Sequence, residues 1–216
     1  MTDRKEREYI QKLKAQAVET VHFFSNSNKA DRERCACAAF LRCLGLDFSA
    51  KDLVAVSQKD SPPDVIFRSA RFEVSEVLGK GQKRHYEAKV RAGCLMNADN
   101  IDDTLVPFPP RIPLKYADVF KHINEVLAKK AAHYGTKVCS KLDALTYMDI
   151  PYTFLVTTSP LSRNAPLQKQ GWRSVSFIMP PHSHVLYASD SAPDFLRDLA
   201  GLTKQEWNDW DRLFKL

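Results

Sequence analysis

An α/β (α+β) architecture, a central mixed sheet flanked by helices, is what this sequence predicts, and three observations carry it. Apolar residues recur at helical spacing in three long segments. Short runs rich in β-branched and aromatic residues lie between them. Glycine, proline and asparagine clusters mark the boundaries. Helices and strands mixed in this way bury their apolar faces best as layers around a sheet.

The first helix is expected over residues 3–24, where Ile10, Leu13, Ala17, Val21 and Phe24 form one stripe. "SNSNKAD" breaks it and supplies capping residues for a second helix over 30–44, which Gly45 stops. "LVAV" at 53–56 suits a short strand or a helical turn equally. Residues 64–67 and 71–78 read as two strands separated by "RSA", hence a hairpin. Gly79 and Gly81 end it ahead of "KGQKRHYEAKVRA", a helix candidate. "LVPFPPRIPL" is too proline-rich for a helix or a central strand and reads as an extended connection.

A long helix over 115–134 follows, with the inward stripe Val119, Ile123, Leu127 and Ala131. "LDALTYM", "YTFLVTTS" and "SVSFIM" are strand material, the last ended by Pro180-Pro181. Helices over 192–199 and 204–214 close the chain, the latter with Trp207, Trp210 and Phe214 on one side. A single domain over 1–216 is expected, with residues 1–25 a helix packed on it or extending from it.

Composition narrows the partners. Net charge is +6, which suits a polyanion and equally suits many proteins without one. No apolar run reaches the ~18 residues of a membrane span, and the charged N-terminus is unlike a secretory signal. Five cysteines, three crowded between Cys35 and Cys43, fit reduced thiols in the cytoplasm better than a disulfide framework. Cys35 and Cys37 point to different sides of a helix, with no second pair at finger spacing, which argues against structural zinc. Neither a phosphate-cradling glycine loop nor GxSxG occurs.

The chemistry concentrates in "SPPDVIFRSARFEVSEVLGK", residues 61–80. Hairpin pairing would bring Asp64 close to Glu73, and two adjacent carboxylates repel unless a cation lies between them or one keeps its proton. Mg²⁺ (or Mn²⁺) is a natural occupant, held by one or two carboxylates and several waters. Glu33 heads the apolar stripe Cys37, Phe40 and Leu44 at the core edge. It is either a third acid for that site or a first-turn glutamate favoured by the helix dipole. The plain alternative for the hairpin is a turn-opening Pro-Pro-Asp, with Glu73 salt-bridged to Arg68, Arg71 or Arg84.

"PPD" followed by "FEVSE" resembles the PD-(D/E)XK, restriction-endonuclease-like superfamily, matched here at Pro63, Asp64 and Glu73. With "GKGQKRHYEAK" and the length, the chain also looks like a family of uncharacterised bacterial proteins labelled endonucleases. The resemblance implies a restriction-endonuclease-like core and a hydrolase of DNA phosphodiesters. It implies magnesium held by Asp64 and Glu73, with Glu33 assisting. Ser75 departs from the pattern, standing where the motif has a lysine that orients water and offsets transition-state charge.

Three readings stay open: a cation supplied from elsewhere, slow cleavage, or a catalytically inactive nuclease fold that binds nucleic acid or a protein partner. Lys80, Lys83, Lys129 and Lys130 are the candidate cations. Lys130, seven residues after Ile123 on the inward stripe, is preferred. Lys80, Lys83 and Arg84 are the expected phosphate contacts, beside His85 and Tyr86 as stacking faces; the plain alternative is a solvated helix face. His182 and His184, two apart, would align as ligands on a strand but read better as a loop pair. The segment 159–173, with Arg163, Lys169 and Arg173, reads as a long polar loop. A homodimer joined through the first or last helix is a further expectation.

Overall fold

The computed structural model describes residues 2–57, 59, 62–107, 109–157 and 165–205. In chain order they form α1 (Thr2–Phe23), α2 (Lys29–Cys43), β1 (Leu53–Ala55), β2 (Val65–Phe67), β3 (Ala70–Leu78) and α3 (Arg84–Met96). Next come β4 (Ile112–Lys115), α4 (Tyr116–Tyr134), α5 (Thr136–Cys139), β5 (Asp143–Asp149) and β6 (Thr153–Val156). The described chain ends with α6 (Ala165–Lys169), β7 (Ser174–Met179), β8 (His182–Ala188), α7 (Asp194–Arg197) and β9 (Thr203–Gln205). It divides into two compact units, residues 1–32 with 80–110, and residues 33–79 with 111–216.

In the first unit α1 and α3 pack antiparallel. The Glu6 carboxylate accepts the Ile101 N–H at 3.0 Å, Lys14 Nζ donates to Met96 O at 3.1 Å, and the Arg84 guanidinium lies 5.2 Å from the Phe24 ring centre. Ile10, Ala17, Ala88, Leu95 and Ala98 are buried there. These are the small and apolar members of the two helical faces, so close approach follows from the sequence.

The second unit is built on a seven-stranded sheet ordered β1-β2-β3-β5-β7-β8-β9. Its centre, β3-β5-β7, is parallel, and the outer pairs are antiparallel. Parallel strands need both faces covered. On one face Phe40 and Leu41 of α2 pack with Phe67, Phe72, Leu145 and Val185. On the other Val119, Ile123 and Leu127 of α4 pack with Ala144, Val175, Phe177 and Trp172. The stripe predicted for α4 is therefore what seats that helix, and every other residue of β3 faces it.

Five expectations need correction. "IPLK" is strand β4, paired in parallel with β6 in a separate two-stranded sheet, because a proline at such an edge loses no required bond. "PPHSHV" opens β8 rather than a loop; its buried His182, Ser183 and His184 mask the apolar alternation that signals a strand. The helix expected from residue 204 is contradicted at its start, where Thr203–Gln205 pairs with β8; Trp207, Trp210 and Phe214 lie outside the described residues. The polar loop 159–173 contains the short helix α6, while Arg163 lies outside the described residues. The expected helix over 192–199 is the shorter α7. No described helix is long and apolar enough to cross a membrane.

Candidate active site

The β2–β3 hairpin pairs Val65 with Phe72, so Asp64 lies just beyond the ladder, beside Glu73. Asp64 brackets that residue. Its backbone N–H donates to Phe72 O at 2.9 Å, and its Oδ2 accepts the Val74 N–H at 2.9 Å. The carboxylate thus replaces a ladder carbonyl, which explains an acid that is only 6% exposed at the end of a strand.

Glu73 is 2% exposed and faces α4. Its Oε1 accepts Lys130 Nζ at 2.6 Å and the Tyr134 hydroxyl at 3.0 Å. Lys130 Nζ also donates to Val74 O at 2.8 Å. Lys130 and Tyr134 are four apart on α4, so they project over the same patch of sheet. Glu73 Oε2 is buried without a hydrogen-bond partner among the described residues. Burial first, then the Glu73 carboxylate and its hydrogen bond, then Asp64, push the Tyr134 phenol up, so it stays a protonated donor.

Glu33, half-buried on α2, and Asp64 both reach Cys37 electrostatically. Burial, then Asp64, Glu33 and Cys35, raise that thiol. Asp64 therefore acts on Cys37 together with Glu33 and on Tyr134 together with Glu73. Among the described residues no three His, Cys, Asp or Glu side chains converge as a ligand set. The two acids the sequence pairs lie on neighbouring strand segments, Asp64 just before β2 with its Oδ2 on the Val74 N–H, and Glu73 on β3 with its Oε1 on Lys130 and Tyr134.

Of the cations considered in the sequence, Lys130 is the one at Glu73, and Lys129 is exposed. Arg68 instead donates to Asp47 O at 3.0 Å. Ser75 is 5% exposed, on the same strand face as Glu73 and paired in register with Thr146; neither hydroxyl has a hydrogen-bond partner among the described residues. Lys80 and Lys83 are exposed and Arg84 is half-buried, all three in the first unit.

His182 and His184 share one face of β8 and are both buried. His184 stacks on Phe177, and its Nδ1 meets Thr203 Oγ1 at 2.7 Å. Burial lowers its pKa to about 4, so at neutral pH the ring is uncharged.

Sequence reasoning missed three residues. Tyr134 ends the α4 helix where only a contact 61 residues away gives it meaning. Asp143, 0% exposed, opens β5 and accepts from Arg173 Nε at 3.0 Å, from Arg173 Nη2, from Ser174 Oγ at 2.8 Å and from the Arg71 N–H at 2.9 Å. An acid inside "LDALTYM" was the available signal for that group, and Arg173 its undetected partner.

Residues 5–206 match the family described as "Putative endonuclease, protein of unknown function (DUF1780)". No curated protein matches the chain. A solved structure from Pseudomonas aeruginosa strain PAO1, titled a protein of unknown function of the monooxygenase superfamily, is similar to it. Its TM-score is 0.66 at 28% identity, over 92% of this chain and 94% of that one.

Proposed function

The chain belongs to that family of endonuclease-labelled proteins, and from this membership and the geometry around Glu73 we propose a metal-dependent endonuclease that hydrolyses DNA phosphodiester bonds. The observation that carries the reading is the Lys130 ammonium 2.6 Å from the buried Glu73 carboxylate. In the PD-(D/E)XK pattern a lysine follows the acid on the strand. Here Ser75 holds that place, and α4 delivers the ammonium from the side. An ammonium has three donors, and two of them meet Glu73 and Val74 O. The third is left to orient a water or a phosphate oxygen.

Asp64 and Glu73 would hold Mg²⁺ or Mn²⁺, with the unpartnered Glu73 Oε2 as the atom best suited to bind it. Such an ion supplies Lewis acidity and lowers the pKa of bound water. Glu33 would add negative field at the α2 side. Tyr134 keeps Glu73 oriented, and Lys80, Lys83 and Arg84 would contact phosphates. The monooxygenase label of the Pseudomonas protein names a different chemistry; this reading follows the acid–lysine cluster instead.

The test is incubation with linear, nicked and single-stranded DNA plus Mg²⁺ or Mn²⁺, comparing the parent with Asp64→Asn, Glu73→Gln and Lys130→Met. Cleavage by the parent and its loss in folded variants is the expected result. Cleavage unchanged in all three would refute the assignment. Binding without cleavage by the parent would favour the inactive nucleic-acid-binding alternative.

A further inference from the structure

We propose that the cleft lined by Arg71, Ser140, Lys141, Arg173 and Ser191 holds a phosphate group of the bound nucleic-acid strand, an inference that rests on the endonuclease reading. The cleft has a volume of about 500 Å³, within the roughly 300–1,000 Å³ of small-molecule sites. Three of its five wall residues are cationic, and all five belong to the second unit.

The cations are not equivalent. Asp143, wholly buried beneath the cleft, grips Arg173 through Nε and Nη2, and Nη2 also donates to Ser69 O at 3.0 Å. This fixes the guanidinium plane and leaves Nη1 for a ligand. Because Asp143 offsets only Arg173, the charges of Arg71 and Lys141 remain as the excess. Both side chains are exposed, free to close on an anion. A guanidinium held in place beside two adaptable cations suits tetrahedral oxyanions, whose oxygens accept from several directions. Ser191 adds a hydroxyl whose partner, Ser189 at 3.0 Å, is itself a rotatable hydroxyl, so its proton can turn to the ligand. Ser140 already donates to Lys137 O at 3.1 Å and serves as wall.

Position argues for a strand phosphate in particular. Arg71 and Glu73 lie on the same face of β3, two residues apart, which is about 6.6 Å. A strand that reaches Glu73 therefore passes close to Arg71. A phosphate in the cleft would then flank the bond presented to Glu73, fixing the register of the strand.

The test is equilibrium binding of labelled single-stranded and duplex oligonucleotides in EDTA, across a salt series. The parent is compared with Arg71→Gln/Lys141→Gln. Both cations of the double variant are surface groups, so folding should be retained. Its slope of log K against log salt should shrink by about 0.9 on duplex or about 0.7 on single strands, one phosphate contact's worth.

An unchanged affinity and slope in the double variant would overturn the proposal. If the parent binds no oligonucleotide, the nucleic-acid reading fails and this strand-phosphate assignment with it. Titration with inorganic phosphate, followed by the Arg71 and Arg173 guanidinium NMR signals, then separates the two failures. Shifts in the parent that vanish in the double variant would leave a free-phosphate site in place of the strand contact, and no shifts would remove the cleft as an anion site altogether.

Discussion

Replacing Lys130 by methionine isolates the ion pair at the candidate site, because methionine keeps the aliphatic stem and removes the charge. At 2.6 Å and an effective dielectric near 20, the Coulomb attraction is roughly 6 kcal/mol, most of it offset by the desolvation of both ions. Deletion of one partner is the severe case, since Glu73 is 2% exposed and would keep only Tyr134. Breaking a buried pair costs about 3–5 kcal/mol. The lower end applies because the Lys130 side chain is 28% exposed. Lys130→Met should therefore lose about 3 kcal/mol, or roughly 6–12 °C in Tm for a chain of this size. Urea unfolding of Lys130→Met, Glu73→Gln and the double variant completes the cycle. The double variant should be less destabilised than the sum of the singles by at least about 1 kcal/mol. A loss below about 1 kcal/mol for Lys130→Met, with additive singles, would show that the pair is not formed as described.

Further outcomes follow from other parts of the molecule. Ser75→Lys in the Lys130→Met background should recover part of the lost cleavage, while Ser75→Lys alone, adding a second ammonium beside the first, should lower stability; plasmid cleavage and urea unfolding read these. Asp143→Asn should cost roughly 3–5 kcal/mol by leaving Arg173 without its counter-charge, measured by thermal unfolding. His184 titrates near 4 when folded and near 6.5 when unfolded, so between those values the unfolded chain holds the extra proton. Stability should then fall as pH drops through that window, by about 1.4 kcal/mol per unit, with His182 shifted in the same direction. Unfolding of His184→Asn from pH 7 to 4.5 should be correspondingly flatter. Among the cysteines Cys94 is exposed and the other four are buried, so an aromatic disulfide reagent should titrate one fast thiol in the native protein.

Much of the site was legible because its signals are local. A hairpin is announced by its own short turn, and an inward lysine by its spacing from Ile123 on one helix. These two periodicities together place Asp64, Glu73 and Lys130 on facing surfaces before any fold is known. Glu73 had also been offered Arg68, Arg71 or Arg84 as partners, each near it in sequence. The pair that forms spans 57 residues, which no local pattern encodes. Asp143 with Arg173 escaped for the same reason, being joined only when β5 and β7 align. Strand β8 was hidden because its first three buried side chains, His182, Ser183 and His184, are polar, and His184 finds its partner, Thr203, only on β9.

A lysine carried by the sheet would stay with its acid whatever the surrounding helices did. Here the acid belongs to β3 and the cation to α4, so the charge balance of the cluster depends on where that helix lies. A slide of one turn along its axis is about 5.4 Å, enough to take a 2.6 Å contact beyond hydrogen-bonding range. The oily contacts of Val119, Ile123 and Leu127 thus double as an alignment gauge, and a core substitution that leaves every polar group intact can still detune the cluster at a distance.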